Sequence, residues 1–457
     1  MAKEFQLSAR AIPLDDRYDV IVAGGGPAGC GAAAAAARQG ARTLLIEANG
    51  ALGGMGTLGL VPFFCGFGDG ATFIARGIAE QVRLRLIEGT PHMRNPQPDW
   101  LRFWPSIDPE RLKRIYDDLV TAAGADVLFH TALVGVERGA GGVEALLAAN
   151  KEGLSALRAR VYIDATGDGD LAAWAGAPFE KGDAAGRLQP ATLCFMLANA
   201  DLYALEKGPE SSWATTQQAV REAWLSKQHP LIEDAHCCSR LLGADVYGFN
   251  AGHVYGVDNT DPASVSQALI RGRRQAEQYR AVLAARHPGY ANAWLAATAA
   301  VLGVRETRRI MGDYVLTIDD YRARRSFPDE ICRNAYNIDV HGSKKTEAGA
   351  ADTDAETRRR QMAAEIEQYS DGESYGVPYR CLTPRGLGNV LTAGRCISTD
   401  RRINGSVRIM ACCLTTGEAA GAAAALAAQG DGDVHAVDTA RLRAVLREHG
   451  AYLPGPA

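Results

Sequence analysis

The chain has ten cysteines but no CxxC and no cysteine run at iron–sulfur or zinc spacing. That excludes dithiol reductase chemistry and a built-in cluster relay, and no metal centre is expected. The vicinal pairs Cys237–Cys238 and Cys412–Cys413 then read as small apolar core fillers. A charge excess is missing too: 49 Lys and Arg against 53 Asp and Glu leave a net charge of −4. Such a surface offers no footprint for a polyanion, so nucleic acid is not an expected partner. No long unbroken apolar run exists, because Thr415, Thr416, Gly417, Glu418 and Gly421 interrupt the stretch from Ala411 to Ala428. It predicts a buried helix, not a membrane span. The opening residues before Tyr18 carry neither an apolar h-region nor an Arg-rich amphipathic pattern. No export or organelle leader is expected, and free thiols in a reducing cytoplasm follow.

What is present begins with YDVIVAGGGPAGCGAAAAAARQGARTLLIEA, Tyr18 to Ala48. Val20 to Ala23 is an apolar run of the buried parallel-strand type, and Gly24, Gly26 and Gly29 follow at GxGxxG spacing. Gly24 permits the tight turn, Gly26 lets backbone approach a pyrophosphate, and Gly29 allows close helix–sheet packing. The helix N-terminus supplies unpaired N–H groups and partial positive charge. Leu44 to Ile46 predicts the second strand, and Glu47 lies at its end, where an acid accepts from ribose hydroxyls. A second such fingerprint is absent, since Leu391 breaks the pattern that Gly386 and Gly388 begin.

Beyond Glu47, the glycine-rich loop Asn49 to Thr57 brings backbone N–H groups near a ligand without side-chain obstruction. Ile78 to Leu86 reads as an amphipathic helix, residues 91–107 as a packed loop, and Asp108-Pro109-Glu110 as a capped helix start. Asp126 to His130, Leu133 to Glu137 and Val143 to Ala149 predict three strands of a small antiparallel meander. Val161 to Thr166 predicts another buried strand. The turn that ends it, Gly167 to Asp170, is either a capped β–α turn or the border of a ligand, as strand carboxyl ends in open α/β sheets are.

From Gly182 to about Asp371 no glycine fingerprint recurs, which suggests a substrate domain. Ser264 to Leu283 and Ala291 to Leu302 are expected to be helices. In GVRETRRIMGDYVL, Gly303 to Leu316, the arginines and Glu306 form either a structural ion pair or an anion clamp. Asp339 and His341 fall at strand spacing and share one side. His341 reads as a satisfied core histidine or as an acid, base or donor. Residues 343–367 are highly charged and predict a solvated loop and surface helix. Asn389 to Ala393 predicts a returning strand that delivers Gly394-Arg395 and, after Gly405 to Arg408, a long small-residue helix whose N-terminus favours negative charge. The expected organisation is a first cofactor-binding part over 17–181, a substrate or cap domain over 182–375, a returning part over 376–430, and a closing surface helix and tail over 431–457.

Five segments together, GGGPAG with Glu47, LGGMGT, VYIDATGDGDLAAWAGAPFEKG, GVRETRRIMGDYVLT and LTAGRCIST with GSVRIMACCLTTGEAAG, resemble the FAD-dependent oxidoreductases of the glutathione-reductase-like flavoprotein superfamily. That group is related to succinate dehydrogenase and fumarate reductase flavoproteins and to the flavin subunit of heterodisulfide reductase. The resemblance implies an α/β fold with a Rossmann-like FAD-binding domain, parallel sheet, helices and β-meander, plus an inserted α+β substrate domain. It implies that Gly24, Gly26, Ala28 and Gly29 hold the pyrophosphate and Glu47 the adenosine ribose. Gly53, Gly54 and Met55 would line the ribityl and flavin region, Val134 would pass its backbone beside the adenine, and Gly167 and Asp168 would border the cofactor. Gly394, Arg395, Ser406 and Arg408 would close over the flavin end. Arg305, Glu306, Asp339 and His341 match motifs facing the reacting side. Arg401 stands where relatives carry a histidine. The implied activity is a dehydrogenase or oxidase taking hydride from a polar small molecule, a carboxylated one among the candidates, onto flavin N5. Oxygen, a quinone or a carrier would receive the electrons, and a homo-oligomer is compatible with this reading. The alternatives are a reductase or monooxygenase using external NAD(P)H, or a non-catalytic electron-transfer flavoprotein subunit.

Overall fold

Val20–Ala23 and Thr43–Ile46 sit at the middle of a five-stranded parallel sheet. Its order is Val390–Thr392, Val161–Asp164, Val20–Ala23, Thr43–Ile46 and Asp126–Leu128. The returning segment therefore pairs beside the strand from the middle of the chain, and the two glycine turns they carry open at one sheet edge. The computed structural model describes residues 8–90, 101, 104–207, 212–342 and 368–454. The expected loop over 91–107 lies largely, and the charged stretch 343–367 wholly, outside the described residues.

The architecture is mixed α/β, with this parallel sheet and separate antiparallel sheets. One strand is placed differently from expectation. Asp126–Leu128 is the parallel edge strand beside Thr43–Ile46 and not the first strand of the meander. The meander consists of Ala132–Gly139, Gly142–Asn150 and Gly153–Leu157, with Leu14–Asp15 added parallel to the last. Helix Pro109–Thr121 ends just before Asp126 and delivers the chain to the sheet edge, which is the local reason for the parallel pairing.

Two helices of small residues pack face to face over this sheet. A Cβ added at Gly417 would meet the Ala28 carbonyl oxygen at 2.1 Å, and one at Gly421 would meet that of Ala32 at 2.1 Å. Helices Pro27–Arg38 and Met410–Ala428 thus approach at backbone contact and run in the same direction. Their register sets the second N-terminus about 9 Å, six residues of rise, beyond the first. Both dipoles consequently point to the same end of the molecule. Among the described residues, Met410–Ala428 is the one helix long and apolar enough to cross a membrane, and 89% of that stretch is buried within the protein.

A second unit is built on the antiparallel order Cys237–Leu241, Tyr247–Ala251, Phe195–Ala198 and Trp294–Thr298. Helices Ser212–Ser226 and Pro262–Arg286 cover it, and stacked Phe195 and Phe249, 4.9 Å apart, anchor its core with Tyr279. The helix expected over Ala291 to Leu302 is instead this sheet's edge strand Trp294–Thr298. Ladder bonds to Phe195–Ala198 outweigh alanine's helical preference there. The unit's own core is also narrower than 182–375. Leu316, Tyr321, Ile331, Tyr375 and Val377 pack into the core of the parallel sheet and its helices. Tyr336 to His341, expected at strand spacing, joins no ladder; it leaves strand Glu330–Asn334 as irregular chain.

Candidate active site

One continuous cavity of about 1400 Å³ runs from the glycine turn to the second unit. That exceeds the roughly 300–1,000 Å³ of an ordinary small-ligand pocket. At its first end, Gly24, Gly26, Ala28 and Glu47 line the wall, with Thr131, Ala132 and Leu133 opposite. Helix Pro27–Arg38 has Gly26 as N-cap with no side-chain cap and no acid in its first turn, so its leading N–H groups face the cavity unpaired. A Cβ at Gly26 would meet nothing within 4 Å, whereas a Cβ at Gly29 would lie 1.8 Å from the Gly24 oxygen. Gly26 thus serves the ligand space and Gly29 the packing. Glu47 is fixed by the Gly25 N–H at 2.7 Å and by the Asn49 backbone and side-chain N–H groups at 2.8 and 2.7 Å. A carboxylate has about four acceptor directions, so acceptor capacity remains for a ligand.

Along the middle, Gly54 and Met55, Gly167 and Asp168, and Gly394 and Arg395 line the walls. Arg395 Nη2 donates to Asp168 Oδ1 at 2.7 Å, and the Thr307 hydroxyl donates to the same oxygen at 2.6 Å. Burial alone would raise Asp168; Arg395, Thr307 and Asn259 outweigh it and hold the carboxyl below its ordinary range. The N-terminus of Met410–Ala428 also opens here, since Ile409 and Met410 line the cavity and Ile409 provides no side-chain cap.

At the far end Arg305, Arg408, Asp339 and His341 are joined by His236, His253, Asp234 and Tyr255. The strand pair that matches Cys237 with Ala251 sets His236 and His253 beside each other at its end. Their rings stack at 4.4 Å and 3°. Between them Gly252 turns with φ +75°, and a Cβ there would strike Gln275 and Tyr279 at 2.9 Å. Asp339 is reached by Arg408 Nη2 at 3.1 Å and by His341 Nε2 at 3.2 Å. Gln189 Oε1 accepts the His341 backbone N–H at 3.0 Å and fixes that segment. Burial would raise Asp339, but His341, Arg408 and Arg305 hold it far below the carboxylate range. Burial and then Arg305 push His341 down to about 3.

Arg305 is buried, and among the described residues its hydrogen bonds go to neutral groups. These are the Pro190 carbonyl and Thr192 hydroxyl at 2.9 Å, His236 Nε2 at 3.3 Å and Asn250 Oδ1 at 3.4 Å. Among the described residues Arg408 Nε is buried without a partner. The far end therefore sets two guanidiniums, Arg305 and Arg408, beside the carboxylates Asp339 and Asp234.

Five expected site residues are placed elsewhere. Glu306 is fully buried and off the cavity, bound by Arg309 at 2.8 Å and Arg401 at 2.9 Å; it is the structural ion pair. Ser406 turns inward to Tyr375 at 2.7 Å and Asn334 at 3.0 Å. Gly29 and Gly53 support the turns from behind the lining, where a Cβ at Gly53 would meet Thr57 and Tyr116. Val134, expected to pass its backbone beside the adenine, lies one residue beyond a lining that runs from Thr131 to Leu133, and its side chain is exposed. Asp234, His236, His253 and Tyr255 were not expected. Their signal was a pair of histidines flanking two apolar runs at matching offsets.

A parallel sheet with a glycine turn, an uncapped helix and a strand-end acid defines a dinucleotide-binding α/β protein. The chain matches the FAD dependent oxidoreductase family over residues 19–446 and belongs to it. Its fold is similar to that of a geranylgeranyl bacteriochlorophyll reductase-like protein from Thermoplasma acidophilum, at 16% identity over 96% of this chain and 85% of that one, TM-score 0.49. It is also similar to the myxobacterial chondrochloren halogenase CndH, at 14% identity over 96% and 79%, TM-score 0.42. A triple mutant of the flavin-dependent brominase Bmp2 matches at 12% over 94% and 84%, TM-score 0.44. FAD is the cofactor, and the open face of Gly26, the unpaired N–H groups behind it and the remaining acceptor capacity of Glu47 fit its phosphates and ribose. The protein is an FAD-dependent oxidoreductase.

Proposed function

We propose that the enzyme is a dehydrogenase or oxidase acting on a small polar molecule that carries a carboxylate or similar anion. The observation that carries this reading is Arg305, a buried cation on the cavity wall whose described partners are all neutral. Asp339 acts on this guanidinium only through space, no described carboxylate hydrogen-bonds it, and a ligand anion in direct contact would offset the cost of burying it. Guanidinium geometry matches a carboxylate in two-point fashion. FAD, when bound, supplies the two-electron acceptor for the substrate.

The chain's own residues do the rest. Arg305 binds and orients the anion, Arg408 holds Asp339 in place, and Asp339 aligns His341 at the cavity wall. His341, neutral through burial, is available to take a proton from the substrate. Apolar Phe63, Trp104 and Leu302 line the same cavity.

Anaerobic titration of the yellow protein with hydroxy acids, amino acids, amines and sugars tests this. Bleaching of the flavin band by an anionic member of the panel, lost in Arg305→Gln with FAD still bound, is expected. Bleaching by NAD(P)H alone would assign a reductase or monooxygenase instead, and bleaching only by a protein partner an electron-transfer subunit. The electron acceptor follows from reoxidation with oxygen, a quinone or a carrier.

A further inference from the structure

Four side chains form an unbroken line across the far end of the cavity. Asp234 Oδ2 lies 2.7 Å from His253 Nδ1, His253 Nε2 lies 2.9 Å from His341 Nδ1, and His341 Nε2 lies 3.2 Å from Asp339 Oδ1. Both ends are ionised carboxylates. Burial opposes this, but His253 and His236 around Asp234, and His341 and Arg408 around Asp339, hold each below its ordinary range. The Tyr255 hydroxyl also donates to Asp234 at 2.8 Å.

An ionised carboxylate only accepts, so each one faces an imidazole N–H. Neutral imidazole has a single N–H. The two nitrogens that face each other, His253 Nε2 and His341 Nδ1, are therefore both lone pairs at hydrogen-bond distance, with nothing between them. Two opposed lone pairs repel, and a single added proton turns the contact into a hydrogen bond.

We propose that His253 and His341 act as one proton-accepting site, holding between their facing nitrogens the proton that the substrate releases on oxidation. This rests on the substrate reading above. With FAD bound as the two-electron acceptor, the substrate would lose a C–H hydrogen with its electron pair, its O–H or N–H bond would break, a C=O or C=N would form, and the released proton would go to the paired nitrogens. Both rings line the cavity that the substrate enters.

A divalent metal would also satisfy opposed lone pairs, and His236 brings a third nitrogen to within 4.8 Å. Two observations favour the proton. Arg305 Nη2 stands 3.3 Å from His236 Nε2, a fixed cation against the third ligand. The rings of His236 and His253 stack at 3°, so their in-plane lone pairs lie in two parallel planes and no single ion lies in both. The charged and titratable groups facing the pair are Asp234, His236 and Tyr255 at His253, and Asp339 and Arg305 at His341, with Arg408 behind Asp339. Burial pushes both rings down, and Arg305 adds to it. An anion seated at Arg305 removes that repulsion, so substrate binding readies the pair for its proton.

The test uses FAD-loaded protein with ring-¹⁵N histidine, followed by NMR across the acid and neutral range, with metal analysis of the same sample. His253 is expected as the Nδ1–H tautomer and His341 as the Nε2–H tautomer. On acidification the two are expected to change together with uptake of one proton. His253→Gln should leave FAD bound and slow flavin reduction roughly a hundredfold, the scale of a lost general base, with a changed pH profile. His341 protonated on Nδ1, two rings each taking its own proton separately, one metal ion per chain, or unchanged reduction and pH profile in His253→Gln would each overturn the proposal. If no small molecule bleaches the flavin, the substrate reading fails, while the tautomer pattern still decides the pair.

Discussion

Two glycines three residues apart in the first turn should respond to alanine in opposite ways. At Gly29 the new Cβ would sit 1.8 Å from the Gly24 carbonyl oxygen and 3.3 Å from the Ala165 Cβ. Backbone cannot yield as a flexible side chain does. Overpacking of a core costs about 1–3 kcal/mol, here at the upper end, and alanine's helical preference over glycine returns about 1 kcal/mol. A net loss of about 2 kcal/mol in the apoprotein follows. At Gly26 the backbone is extended, φ −68° and ψ −178°, and the new Cβ meets no protein atom within 4 Å. Only the weaker capping of alanine applies, about 0.5–1 kcal/mol. The methyl group instead occupies the space the pyrophosphate needs. Loss of one charge-assisted hydrogen bond, about 1.5–3 kcal/mol, weakens FAD roughly tenfold to a hundredfold. Urea unfolding of the apoprotein and FAD titration by flavin fluorescence separate the two effects. Wild-type FAD affinity in Gly26→Ala, or a Gly29→Ala apoprotein as stable as wild type, would refute the reasoning.

Glu418 lies inside helix Met410–Ala428, is 3% exposed and accepts the Ile78 N–H at 2.9 Å; burial lifts its carboxyl to about 7. A carboxyl raised on folding binds more protons in the native state, so its stabilising share is full below the unfolded value and is lost as pH rises to about 7. At about 1.36 kcal/mol per unit the change is of order 3 kcal/mol, and Glu418→Gln should be the more stable protein at pH 8; urea midpoints at pH 5 and 8 check this, and a variant destabilised at both would contradict it. Glu306→Gln removes the carboxylate shared by buried Arg309 and part-exposed Arg401, while Arg309 retains Glu180 at 3.1 Å, so a cost of about 3 kcal/mol, the low end for a broken buried pair, is expected in unfolding measurements. A variant that kept its stability but lost flavin reduction would return Glu306 to the chemistry.

The cofactor side was legible in sequence because a phosphate-binding turn is contiguous. Its strand, glycines, helix and acid are read within about 30 residues, the span of one βαβ unit. Periodicity likewise located helix Pro109–Thr121 and its Asp108 cap, whose carboxylate accepts from Glu110 and Arg111 at 3.0 and 3.1 Å. Pairing partners were less accessible. Asp126–Leu128 and Trp294–Thr298 are each three to five residues long and lie at sheet edges, where tertiary neighbours decide both type and partner.

The reacting side was half legible for a different reason. Sequence gives a residue's chemistry but not its direction. Arg305 and Glu306 are adjacent, yet one faces the cavity and the other is sealed into an ion pair with Arg309 and Arg401. Asp339 and His341 could be paired from their spacing, since alternate residues of extended chain share a side. Asp234 and His253 could not, because their approach to His341 depends on the register of Cys237–Leu241 against Tyr247–Ala251 and on where the segment from Glu330–Asn334 crosses that sheet's end. A Cβ at Gly405 would lie 2.8 Å from the Asp339 carbonyl oxygen, so even the path of that crossing segment depends on a glycine more than sixty residues away. The proposed proton-accepting group, assembled from three such segments, is a property of the assembled fold. The residues that complete it are the ones a linear reading passes over as ordinary strand ends.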